Sequence, residues 1–129
     1  SISELMEVTD RYAMKGERSG RPDFSSLLSY GNEASMLDKL TTETEKEMQA
    51  LRDAKCRNDL EGLNALTHHL RSSWEILRAD QPLRVLYRLL HGEGTPDNEA
   101  LFHAVNGVLE KGAEIIRLAK EERRKYGQG

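Results

Sequence analysis

The chain has 129 residues and a formal net charge of −3 at pH 7; 37% of it is hydrophobic, 32% charged and only 5% aromatic, with three prolines. That length suits one domain able to bury roughly two thirds of its unfolded surface. So few aromatics and prolines disfavour a β-sandwich or barrel, the acidic balance gives no global reason to expect nucleic acid, and no apolar run approaches the roughly 18 residues of a membrane span.

The first residues, SISELMEVTDRY, place Ile2, Leu5, Met6 and Val8 at helical spacing, so a short helix over 1–15 is expected. GERSGRP follows as a linker over 16–23, rich in Gly, Arg and Ser and closed by Pro22. Asp23 can cap a short helical lead-in through Phe24, Leu27 and Leu28, which Gly31 and Asn32 would end. From Glu33 to about Arg57 the apolar stripe is Leu37, Leu40, Met48 and Leu51, with Thr44 filling its gap. Glu43, Glu45, Lys46 and Glu47 should face water.

Asn58 or Asp59 caps the next helix, whose stripe is Leu60, Leu63, Thr67, Leu70, Trp74 and Leu77. Pro82 suits the first turn of a shorter helix carrying Leu83, Leu86, Leu89 and Leu90. HGEGT then connects to Thr95, Pro96, Asp97 and Glu99, which read as a hydroxyl cap, a first-turn proline and acids near the positive end of the dipole. The last helix carries Leu101, Val105, Val108, Gly112, Ile115 and Ala119 on one stripe, ending in KEERRK and Gly127. Four main helices with short connections predict an all-α fold, an antiparallel four-helix bundle over 24–126 with an additional short N-terminal helix.

The chemistry concentrates in LTHHLRSSWEILRA, from Leu66 to Ala79. On a helical wheel His68 and His69 flank the pole opposite the stripe, each roughly 130° from its centre, so both should be wet. Their neighbours differ. His68 shares a polar strip with Asn64 one turn before it, Arg71 and Ser72 after it, and Glu75 beyond. His69 has Ser73 one turn on but no cation at the third position. An exposed neutral imidazole can attack phosphorus, and a neighbouring guanidinium favours the phosphoryl oxygens as charge gathers there. Zinc is poorly served: adjacent helical histidines diverge, HExxH is absent, and His91 and His103 show no ligand spacing, which leaves those two with structural or surface roles. Cys56 is a lone thiol and cannot form an intrachain disulfide.

Thr67, His68, His69, Leu70, Arg71, Ser72 and Ser73, followed by Leu77, Arg78 and Ala79, resemble the motif of the histidine-containing phosphotransfer (HPt) domain of multistep two-component signalling. That motif runs as a small residue, His, any residue, Leu or Met, Lys or Arg, Gly, then Ser or Ala, with a Leu-Gly-Ala step several residues later. The resemblance spans about Phe24 to Tyr126. It implies a helical bundle whose His68 accepts a phosphoryl group from the aspartate of a response-regulator receiver domain and passes it to another. Arg71 is the implied basic neighbour, with Asn64, Ser72 and Glu75 near the phosphoryl group or the receiver.

The resemblance implies no cofactor of the domain's own, Mg2+ being supplied by the partner receiver, and no autonomous kinase activity. The lack of a long apolar run leads to an expectation of no direct membrane contact, and since no heptad pattern demands a dimer the isolated domain is expected to be monomeric. Two positions depart from the family pattern. Ser72 replaces a glycine, adding a hydroxymethyl group to the docking surface, and Arg78 replaces the glycine of Leu-Gly-Ala, with Asp80-Gln81-Pro82 expected to end the helix instead. Arg71, Arg78, Arg84 and Arg88 can complement an acidic receiver face.

SISELMEVTDRY is similar to the final helix of a receiver domain, and the chain opens at Ser1 without an initiator Met. Together these imply the C-terminal part of a hybrid sensor kinase, cytoplasmic at this end and membrane-tethered elsewhere. The alternative is an HPt-like module that binds a receiver or kinase without carrying phosphate.

Overall fold

The structure, a computed structural model, describes residues 21–127. The helix expected over 1–15 and most of the linker lie outside the described residues. Five helices follow in order: α1 (Ser25–Leu28), α2 (Glu33–Cys56), α3 (Leu60–Ile76), α4 (Gln81–Leu90) and α5 (Asn98–Arg124). Among the described residues there is no strand, and no helix is long and apolar enough to cross a membrane. The fold is all-α.

The stripes become the core. Leu37, Met48 and Leu51 of α2, Leu63, Leu70 and Trp74 of α3, Leu83 and Leu86 of α4, and Leu101, Val105, Val108 and Ile115 of α5 are buried together. Thr44 and Thr67 continue those stripes and are buried as well, and the Thr67 hydroxyl donates to the Leu63 carbonyl at 2.8 Å. That bond satisfies a polar group which would otherwise cost its desolvation. α2 packs against α3 and α5, and α4 packs against the same two helices, while α1 rests on α2. Gly112 allows α2 and α5 to close up, because a Cβ there would collide with Met48 Sδ.

The helix ends decide where the functional face falls. Asp59, in extended conformation, accepts from the Gly62 amide at 3.0 Å and caps α3. Asn58 instead closes α2 at φ 54°, with the Asp59 amide donating to the Ala54 carbonyl at 2.9 Å. α5 begins later than Thr95: Asp97 accepts from the Ala100 amide at 3.0 Å and is the cap. A carboxylate beside the dipole's positive end is favoured there by charge as well as by geometry.

α3 stops at Ile76, ahead of the Asp80-Gln81-Pro82 turn expected to end it. Leu77 is its last half-turn residue and Arg78 takes the left-handed conformation at φ 56°. The Arg78 amide donates to Glu75 at 3.0 Å and the Ala79 amide to Trp74 at 2.8 Å, the paired bonds of a left-handed helix terminus. The Asp23 amide donates to the Leu77 carbonyl at 2.8 Å, and Pro22 is buried, so the described end of the linker segment is fixed to this terminus.

Candidate functional site

α3 presents Asn64, His68, Arg71, Ser72 and Glu75 along one side, because residues three, four and seven apart share a helical face. His68, Arg71, Ser72 and Glu75 are exposed and Asn64 is half-buried. A cleft of about 340 Å³ runs between α3 and α4, lined by Thr67, His68 and Arg71 on one wall and by Asp80, Leu83, Arg84, Tyr87 and Arg88 on the other. α4 supplies its wall because Leu83 and Leu86 fix its rotation, burying one side and turning Arg84, Tyr87 and Arg88 outward.

The two histidines have different surroundings. His69 turns toward α2, where its Nε2 lies 2.8 Å from Glu47 Oε2. Glu47 is therefore not a fully solvated residue as its position in the charged run suggests: its side chain is 19% exposed. Burial pushes its carboxyl above the ordinary value, and the hydrogen bond and charge of His69 pull it back down. His68 turns toward α4. Its ring meets Tyr87 edge-on at 5.8 Å between centroids and His91 edge-on at 6.0 Å. Among the described residues no side chain hydrogen-bonds either ring nitrogen of His68.

Around His68 the charges pair loosely. Arg71 Nε donates to Glu75 Oε2 at 3.2 Å, and its guanidinium lies 5.6 Å from the Tyr87 ring centroid. Arg84 Nε donates to Asp80 Oδ2 at 3.1 Å. Exposed pairs of this kind are worth about 0–1 kcal/mol, so a better anion can draw the guanidinium away. Arg88 makes no ion pair among the described residues. Arg71, Arg84 and Arg88 thus share one cleft with His68. Arg78, grouped with them on sequence, lies outside that cleft and lines the adjoining groove with Asp23 and Tyr30, which Asp80 and Arg84 also border.

Tyr87 and His91 are the residues that sequence spacing passed over. His91, expected to have a structural or surface role, stacks on Tyr87 at 4.2 Å between centroids, and its Nε2 lies 2.7 Å from Asn64 Oδ1. One signal was available: Tyr87 and His91 are four apart and share a face of α4. Among the described residues no three His, Cys, Asp or Glu side chains converge as a metal site. Comparison of the chain with protein-family models, with curated proteins and with solved structures returns no match.

Proposed function

We propose that the chain is a phosphorelay module of the histidine-phosphotransfer kind, with α2, α3, α4 and α5 forming an antiparallel four-helix bundle and His68 as the phosphoacceptor. The bundle reading draws support from the helix contacts, each long helix lying against two others across short connections. The observation that carries the function is His68 itself, an exposed imidazole whose ring nitrogens are unengaged among the described residues, set in a cleft with three guanidiniums.

In this reading a neutral ring nitrogen of His68 attacks the phosphorus of a receiver aspartyl phosphate. The N–P bond forms as the aspartyl O–P bond breaks, the electron pair stays on the receiver's carboxylate, and the proton on the other ring nitrogen leaves to solvent. Arg71 is nearest along α3 to stabilise the charge on the phosphoryl oxygens, with Arg84 and Arg88 on the opposite wall. Mg2+ belongs to the receiver's acidic pocket. In this reading the domain works in the cytoplasm as part of a hybrid sensor kinase, with no kinase activity of its own.

The test is incubation with Mg2+ and a phosphorylated receiver from the same organism. Acid-labile, alkali-stable phosphate should appear on the protein and be lost in His68→Gln, with helicity and melting unchanged.

A second reading, a module that binds a receiver without accepting phosphate, is favoured by the crowding at His68. Two rings lie edge-on to it, and the Ser72 side chain stands where the family pattern has none. Binding without label would establish it, and Ser72→Gly should then speed or restore transfer if that side chain is the obstruction.

A further inference from the structure

His91 and Tyr87 lie 23 and 19 residues beyond His68 in sequence, yet both meet it in space. Asn64 Oδ1 can only accept a hydrogen bond, so the 2.7 Å contact requires His91 to carry a proton on Nε2. That bond ties the C-terminal end of α4 to α3 one turn before His68. The His91 amide donates to the Tyr87 carbonyl at 3.0 Å, holding residue 91 on the helical path so that its ring falls over Tyr87. The two rings stack with 30° between their planes, and His68 meets both nearly at right angles, at 89° and 83°. Such edge-to-face contacts are the favoured geometry for rings with opposed quadrupoles.

An exposed histidine ordinarily samples several side-chain rotamers, and ordering it has an entropic cost. Here the stacked pair forms a wall against one side of the ring. Arg71, over Tyr87 at 5.6 Å, completes the surround. We infer that His91 is a positioning residue: anchored by Asn64 and stacked on Tyr87, it holds the His68 ring in one orientation at the mouth of the α3–α4 cleft. The orientation itself follows from the ring contacts alone; its value to transfer rests on the reading of His68 as phosphoacceptor.

A small phosphoramidate separates the two, because it donates without any receiver. The imidazole nitrogen forms the N–P bond, the donor's P–N bond breaks, and ammonia leaves with a proton. Side-chain NMR of His68 in the wild type should show ring protons shifted by the neighbouring rings and χ1 couplings of one dominant rotamer. His91→Ala should move the ring shifts toward those of a free histidine and average the couplings, and slow phosphoramidate labelling about tenfold through lost orientation. His91→Phe keeps a ring to stack on Tyr87 but loses the Nε2 bond to Asn64, and should restore both in part.

Unchanged His68 shifts and couplings in His91→Ala would overturn the inference, as would loss of folding in His91→Ala combined with wild-type His68 couplings in a folded Tyr87→Leu variant. Absence of label in the wild type, with the NMR response intact, would remove the phosphoacceptor reading and leave the positioning contact standing.

Discussion

Arg78 occupies a backbone position that penalises it, and replacing it with glycine should stabilise the fold. It follows the last residues of α3 with φ 56°, and the bonds from Arg78 to Glu75 and from Ala79 to Trp74 require that left-handed turn. The conformation cannot relax easily, since Trp74, Leu77 and Ala79 are each no more than 2% exposed. A non-glycine residue in this region is strained by roughly 1–2 kcal/mol. Glycine removes that strain but loses about 0.5–1 kcal/mol through the greater freedom of the unfolded chain. The net expectation for Arg78→Gly is a gain of about 0.5–1 kcal/mol, or roughly 2–5 °C in Tm for a domain of this size.

The charge must be separated from the backbone. Arg78 also contributes weakly to holding the Asp23 carboxyl below its ordinary value, a depression caused mainly by hydrogen bonds from the Ser25 amide and hydroxyl. Arg78→Ala removes the guanidinium while keeping the strain, and should change stability by less than about 0.5 kcal/mol. Urea and thermal unfolding of the three proteins decide the matter. Equal stability of the Gly and Ala variants, or a loss in Arg78→Gly, would refute the assignment of strain to this position.

Capping gives a second check: Asp97→Ala and Asp59→Ala should each cost about 1 kcal/mol in urea unfolding, whereas Thr95→Ala should stay within about 0.5 kcal/mol of wild type. Trp74→Ala, which removes the largest fully buried side chain of the core, should cost about 3–5 kcal/mol and lower Tm accordingly. His69→Ala should raise the Glu47 carboxyl further above its ordinary value in an NMR titration, because burial remains while the counteracting hydrogen bond and charge are lost. The sign for stability follows. With its folded-state value raised, Glu47 favours folding most below its ordinary pKa, and that contribution is lost as pH rises through the folded-state value; the His69 variant should extend the loss to higher pH.

The helices were legible because their burial follows a 3.6-residue period, and Leu63, Thr67, Leu70, Trp74 and Leu77 report one face whatever lies opposite. Thr67 fitted because its hydroxyl bonds to the Leu63 carbonyl of its own helix. Helix ends were harder to read. Thr95 and Asp97 both carry cap chemistry, and only the chain path selects Asp97. Arg78 gives no local hint of a left-handed turn, which tertiary packing of Trp74 and Ala79 imposes on it. Asn64, His68, Arg71, Ser72 and Glu75 share a strip by helical geometry alone, so their adjacency was readable. The contribution of α4 was not: Tyr87 and His91 reach His68 through the pairing of α3 with α4, a relation that spacing within one helix does not encode. Glu47 was misjudged for the same reason, its partner His69 lying on another helix.

The role of His68 is decided by comparing phosphate acceptance by wild type, His68→Gln, His69→Gln and His91→Gln from one phosphorylated receiver in the presence of Mg2+. Acid-labile, alkali-stable label should form on the wild type and on His69→Gln, more slowly on His91→Gln, and not at all on His68→Gln. Label persisting in His68→Gln, or vanishing only when His69 or His91 is replaced, would contradict that role.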